Sequence, residues 1–305
     1  MQHFISIADH TTDEILHVLD TGFRLREQRL AGERNDPILA GQTLAMLFEK
    51  PSLRTRVSFA TATYDLGGQV IVMSGDEVGL GVRETASDAV RVLNGMVNGI
   101  AARVFEHKKL VDMADNAEIP VINALSDHSH PCQALADVMT VMDEFGRDLS
   151  GKTFAFVGDG NNMTRSLATI CGKLGMKFIL AAPAGYELDD EWVDQIKQQV
   201  PGLQFDSTNQ PKDAVAEADV IYTDTWVSMG QEDEKLKRMQ DFRQFQINQS
   251  LLDAAPDHAI VLHCLPAYRN IEITDEVMDG KSSRVFPEAH NRLHAQKGLL
   301  AVLMG

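Results

Sequence analysis

Short aliphatic runs alternate with helix-like stretches along all 305 residues of this chain, and no other feature limits its fold as strongly. Strands that read as continuous apolar segments are buried on both faces, with helices crossing over between them, so the pattern predicts α/β architecture with parallel sheets flanked by helices. In the first half, strands are expected at residues 43–48, 69–73, 100–105 and 120–123. In the second half they are expected at 153–157, 177–182, 203–206, 219–223 and 259–263. A helix from Pro131 to Phe145 and the polar stretch from Gly146 to Lys152 separate the halves. A chain of this length fits two domains of ordinary size better than one.

Open parallel sheets meet their ligands beyond the C-terminal ends of the strands, so the residues there carry the functional reading. Ser52-Leu53-Arg54-Thr55-Arg56 follows the first strand and opens a helix that ends at Gly67-Gly68. Ser52 is the expected N-cap, and hydroxyls, an arginine and unpaired backbone N–H groups at a helix start suit an anion such as phosphate. Arg54 and Arg56 point to different sides of that helix, so Arg54 is assigned to the ligand and Arg56 to a structural ion pair. An ordinary capped helix with solvated arginines fits the pentapeptide alone equally well. Arg103 ends another strand, and His130-Pro131-Cys132-Gln133 opens a further helix with proline at its first position. These polar ends are expected on one rim.

The formal net charge of −16 argues against nucleic acid or an anionic membrane as the main partner, since both require a basic face. A phosphorylated substrate must therefore be held by a local cationic cluster. Three widely spaced cysteines, Cys132, Cys171 and Cys264, do not form a disulfide framework, and no metal-ligand spacing occurs, so neither metal nor cofactor is expected. The N-terminal residues lack a signal-peptide pattern and no apolar run is long enough to span a bilayer, which points to a cytoplasmic protein.

The second half opens with Val157-Gly158-Asp159-Gly160-Asn161-Asn162-Met163, which superficially suggests a dinucleotide turn. Met163 replaces the third glycine, and the next strand ends at Ala182-Pro183 without an acid for a ribose hydroxyl, so a dinucleotide site is not expected. The turn instead offers the amide of Asn162. Asp224-Thr225-Trp226-Val227-Ser228-Met229-Gly230 follows a strand with a carboxylate, a hydroxyl and a flexible glycine, suited to a substrate with both amino and carboxylate groups. Cys264, after Val261-Leu262-His263, fits a small buried packing group on its pattern alone.

Phe48 to Phe59, His130-Pro131-Cys132-Gln133 and His263-Cys264-Leu265-Pro266 together resemble the carbamoyltransferase family, with Ser228-Met229-Gly230 pointing to its ornithine-using branch. The resemblance spans nearly the whole chain. It implies a carbamoyl phosphate-binding domain at 1–146, an ornithine-binding domain at 147–287, and a C-terminal helix at 288–305 packing back onto the first. It implies transfer of the carbamoyl group of carbamoyl phosphate to the δ-amino group of L-ornithine, giving citrulline and phosphate, in a homotrimer or a multiple of trimers. The alternatives are another amine acceptor, such as putrescine or an acylated ornithine, or a non-catalytic homologue. Ser52, the Leu53 backbone, Arg54 and Thr55 would hold phosphate; Arg103, His130, Gln133 and Thr55 would address the carbamoyl group; Leu265 would offer a carbonyl, and Arg292 would return to the site. Asn162, Asp224, Ser228 and Met229 would bind ornithine, with Cys264 and Asp224 contacting its side-chain amine.

Two departures from the family pattern stand out. Leu53 replaces a common threonine, and Gly79 aligns with a glutamine that many relatives carry in a loop crossing to a neighbouring subunit, where Arg83 could take its place. Packing suffices to explain Met96, Met113, Met139, Met142 and Met163, as well as Cys132 and Cys171. Glu232 to Arg238 reads as a solvated helix start, His107-Lys108-Lys109 as an exposed helix face, and His263 as structural.

Overall fold

The first sheet forms from four parallel strands, β1 (Thr43–Phe48), β2 (Gln69–Ser74), β3 (Gly99–Arg103) and β4 (Val121–Leu125), in the order β2-β1-β3-β4. The computed structural model describes residues 1–81, 83–227 and 232–305. Around this sheet stand α1 (Thr12–Leu30), α2 (Leu53–Asp65), α3 (Gly75–Val78), α4 (Ala86–Asn94) and α5 (His107–Ala114), and α6 (Pro131–Phe145) follows β4 in the chain. The chain leaves β1 toward β2 on one side, while β3 and β4 lie on the other. The order therefore reverses between β1 and β3, and Phe48 pairs with Arg103 at their C-terminal ends. Ligands of open α/β sheets bind at such switch points.

The second sheet holds β5 (Thr153–Val157), β6 (Lys177–Ala181), β7 (Gln204–Thr208), β8 (Val220–Thr223) and β9 (Ile260–His263), all parallel, in the order β7-β6-β5-β8-β9. Its helices are α7 (Asn162–Lys173), α8 (Asp190–Gln199), α9 (Pro211–Val215), α10 (Lys235–Asp241), α11 (Gln249–Leu252) and α12 (Asp275–Met278). The switch point here lies between β5 and β8. Every residue of β5 is buried, as a central strand covered on both faces requires. Period-two alternation sends Phe154 and Phe156 to one face, where they stack on Phe178 and Tyr222, while Ala155 and Val157 join the opposite cluster with Ile221 and Val261.

The last helix, α13 (Val285–Met304), begins earlier than the expected Glu288. Pro287 falls in its first turn, where a missing N–H costs nothing. From His290 onward this helix belongs with residues Met1–Ala136 in one compact unit, and Asp137–Ala289 form the other. Within the first unit α13 lies against α1 with backbones nearly touching: a Cβ built on Gly298 would sit 2.3 Å from the Val18 carbonyl oxygen, and one on Gly22 would sit 2.8 Å from that of His294. The fully buried Lys297 Nζ donates to Asn35 Oδ1 and Asp65 Oδ2, each at 2.6 Å, tying α13 to α2. Among the described residues, no helix is long and apolar enough to cross a membrane.

Candidate active site

In the first unit, α2 buries Thr55, Ser58, Phe59, Ala62 and Thr63, a stripe at helical spacing that fixes its rotation against the sheet. Ser52 caps it by accepting from the Thr55 N–H at 3.3 Å. The same hydroxyl lies 3.5 Å from Arg103 Nη1. Arg292, brought in by α13, donates from Nη1 to Gln133 Oε1 at 2.5 Å and from Nη2 to Thr55 Oγ1 at 3.1 Å. His130 stands at the start of α6 on a braced loop. Asn123 on β4 donates to Ser129 Oγ at 2.9 Å, and the Cys132 thiol donates back to the Asn123 carbonyl at 3.3 Å.

Ser52, Thr55, Arg103, His130, Gln133 and Arg292 thus share one rim at the switch point of the first sheet. Burial, reinforced by the positive charges of Arg292, Arg103 and Arg54, holds the His130 imidazole well below its usual range, so it is neutral at physiological pH. The rim is a cationic cradle in an acidic protein. Leu53 is 74% exposed at the first helical position, so what it can offer an anion is its backbone N–H. Arg56 is exposed, and its charge reaches Glu77 without an ion pair within 4.0 Å, so the expected structural pair does not form among the described residues.

The second rim is acidic. Asp224 follows β8 and accepts through Oδ1 from the Cys264 thiol at 3.1 Å and from the Thr225 N–H at 2.7 Å. Its Oδ2 accepts from Asn161 Nδ2 at 3.3 Å. Asn161 also caps α7 through Oδ1, which accepts from the N–H groups of Met163 and Thr164. Asn162 is therefore the first helical residue, and Met163 is packed in the core rather than facing a phosphate. Burial, with Asp224 and Glu288 nearby, pushes the Cys264 thiol well above its usual range; Cys264 is a protonated hydrogen-bond donor at neutral pH.

His263 is fully buried. It accepts from the Leu265 N–H at Nδ1 (2.9 Å) and faces Glu272 Oε1 at Nε2 (3.2 Å), while its own N–H donates to Glu288 Oε2 (2.8 Å). This arrangement fixes the tautomer with the proton on Nε2 and gives His263 a structural role. It also holds Leu265 at a positive φ of 57° next to the cis Leu265-Pro266 bond. Potential metal-ligand atoms of Asp224, His263 and Cys264 lie within 4.8 Å of one another, but each is already engaged in these hydrogen bonds. Ser228 and Met229 lie outside the described residues.

Several other expectations give way. Met96 is 72% exposed rather than packed, although Met113, Met139, Met142 and Met163 are buried. Lys109 binds Glu49 Oε1 at 2.8 Å and His107 Nδ1 meets Ser126 Oγ at 2.8 Å, leaving Lys108 as the solvated member of that face. Arg238, read as solvated, is buried against Asp159. Gly79 takes φ 66°, and a Cβ there would come within 2.8–3.0 Å of the Arg83 side chain, so a glutamine here would strain the backbone and displace Arg83. The cap preference of asparagine could have singled out Asn161 ahead of Asn162; nothing local in the sequence marks Arg238.

A cationic cradle at one switch point and a carboxylate paired with a thiol at the other are the equipment of a group transferase that uses an anionic donor and an amine acceptor. Known proteins agree. Residues 2–143 match the aspartate/ornithine carbamoyltransferase carbamoyl-P binding domain, and residues 150–303 match the Asp/Orn binding domain of the same family. An ornithine carbamoyltransferase from Methanopyrus kandleri is 46% identical over 305 residues, covering 99% of this chain and 97% of that protein. One from Methanosarcina mazei is 47% identical, with 98% of each chain covered. The solved ornithine carbamoyltransferase of Pyrococcus furiosus superposes with a TM-score of 0.95 at 44% identity, covering 100% of this chain and 97% of that one. The chain belongs to the aspartate/ornithine carbamoyltransferase family.

Proposed function

We propose that this protein transfers the carbamoyl group of carbamoyl phosphate to the δ-amino group of L-ornithine, releasing citrulline and phosphate. The observation that carries this reading is full-length similarity to ornithine carbamoyltransferases combined with the Asp224–Cys264 contact on the acidic rim. Ser52, the Leu53 N–H, Arg54 and Thr55 hold the phosphate. Arg103, His130, Gln133 and Thr55 receive the carbamoyl oxygen and nitrogen, with Arg292 locking Gln133 and Thr55 in place. Neutral His130 donates a hydrogen bond to the developing oxyanion, and the arginines stabilise the departing phosphate, so catalysis rests on orientation and fixed positive charge.

Asn162, Asp224, Ser228 and Met229 bind ornithine. Asp224 and Cys264 stand beside the side-chain amine, which attacks the carbonyl carbon directly in its neutral form; the C–N bond forms as the C–O bond to phosphate breaks, and the proton lost by the nitrogen leaves with the phosphate. The Leu265 carbonyl, held by His263, accepts from the carbamoyl nitrogen. Exposed Val57 and Tyr64 on α2, Ile71 on the edge strand β2 and Met96 after α4 support assembly into a homotrimer or a multiple of trimers. The acidic charge and three free cysteines support a cytoplasmic setting. Incubated with both substrates, the purified protein should release citrulline and phosphate in equal amounts. Phosphate release without citrulline would contradict the proposed acceptor.

A further inference from the structure

We infer that Arg238 is a positioning residue for the amine-acceptor half of the site, acting through Asp159 and Asn161 on the carboxylate of Asp224. This rests on the reading of that half as the ornithine side. Arg238, on α10, is 4% exposed and donates from Nη1 and Nη2 to Asp159 Oδ2 at 2.9 and 2.8 Å. Its guanidinium is packed over the rings of Tyr186 and Phe242, at 4.9 and 5.7 Å from their centroids. A surface helix residue has no need of such a setting.

What the guanidinium holds is the turn after β5. Asp159 lies between Gly158, at φ 154°, and Gly160, where a Cβ would come within 2.6 Å of the Glu187 and Leu188 backbone. The Asp159 carbonyl accepts from the Asn161 N–H at 2.8 Å and from Thr164 Oγ1 at 2.7 Å. Asn161 in turn reaches Asp224 at 3.3 Å. Displacing the Asp159 side chain therefore rotates the turn that presents Asn161.

Charge completes the argument. The groups facing Asp159 are Arg238 on α10, Glu234 just before that helix, Arg165 on α7, and Asp224 after β8. Burial together with the two acids raises the Asp159 carboxyl to about 6, against the pull of Arg238. Remove the guanidinium and Asp159 either takes up a proton near neutral pH or repels Asp224; each outcome disturbs the amine side and leaves the phosphate cradle intact.

Arg238→Gln and Asp159→Asn, each made in the full chain, test this by steady-state kinetics. Both should raise KM for ornithine by about tenfold, the kinetic equivalent of one charge-assisted hydrogen bond, with KM for carbamoyl phosphate unchanged. In Arg238→Gln the acid limb of kcat/KM for ornithine should move to higher pH, and adding Asp159→Asn should abolish that movement. Crystal structures of the two variants should show the Asn161–Asp224 contact broken. Persistence of that contact, equal changes in both KM values, or an unmoved pH profile in folded Arg238→Gln overturns the inference. A wild-type protein that makes no citrulline overturns the ornithine reading instead, and the Asn161–Asp224 contact in the crystals still decides the role of Arg238.

Discussion

The Cys264 thiol donates to Oδ1 of Asp224 across 3.1 Å, and this one bond separates two chemistries that a strand-end cysteine could serve. A nucleophilic cysteine needs a cationic neighbour that favours the thiolate. Cys264 has carboxylates nearby, which with burial keep the proton on sulfur. Direct attack by the substrate amine is the chemistry compatible with that environment. Cys264→Ser should therefore keep measurable turnover with a higher KM for ornithine and an altered pH profile. Mass spectrometry should find no carbamoylated Cys264 during turnover, and kinetics should be sequential rather than ping-pong.

Arg54 sits in the first turn of α2, and its charge reaches His130. Replacing it with Ala should remove about 1.5–3 kcal/mol of transition-state stabilisation, read as a fall in kcat/KM for carbamoyl phosphate. Circular dichroism should show an intact fold. Unchanged kcat/KM would count against the phosphate assignment.

The contact of α1 with α13 depends on the absence of a side chain at Gly298. Gly298→Ala puts a Cβ within 2.3 Å of the Val18 carbonyl oxygen and 2.6 Å of the Gly22 nitrogen, both backbone atoms that cannot swing away. The helices must separate, and the expected cost is about 1–3 kcal/mol, measured by denaturant unfolding. An unchanged midpoint would mean that the helices reposition freely.

His294, on α13, has its pKa lowered to about 4 by burial and by the charges of Lys297, Arg26 and Arg29. The unfolded chain binds this proton near the usual histidine value of 6.5, whereas the folded chain does not. The contribution is therefore fully present above 6.5 and is lost as pH falls from there toward 4. His294→Gln should reduce the drop in thermal midpoint between about pH 7 and about pH 5 relative to wild type. Equal drops would contradict the buried neutral imidazole.

The strands were legible in the sequence because central strands of parallel sheets, covered on both faces, leave continuous apolar runs such as Phe154 to Val157. Ser52 was legible because an N-cap is a local event decided within three residues of itself. The orientation of long polar side chains was not legible. Arg238 and Lys109 look like solvated charges until Asp159 and Glu49 arrive from distant parts of the chain, and Arg56 makes no ion pair among the described residues. Met96 shows the converse: an apolar residue near a helix end carries no local mark of whether the next layer covers it. Candidate residues at strand ends could thus be named from the sequence, whereas the hydrogen bonds linking Arg292 to Gln133 and Asn161 to Asp224 are products of tertiary folding.

The measurement that bears most directly on the proposed function is kcat/KM for the acceptor, with carbamoyl phosphate held saturating and L-ornithine, putrescine, L-aspartate and N-acetyl-L-ornithine compared in turn. If Asp224 and Cys264 face the amine as proposed, ornithine should be preferred over each alternative by about a hundredfold or more, because each alternative lacks or masks a polar group that ornithine presents. Comparable or better turnover with putrescine, aspartate or acetylornithine would contradict the assignment.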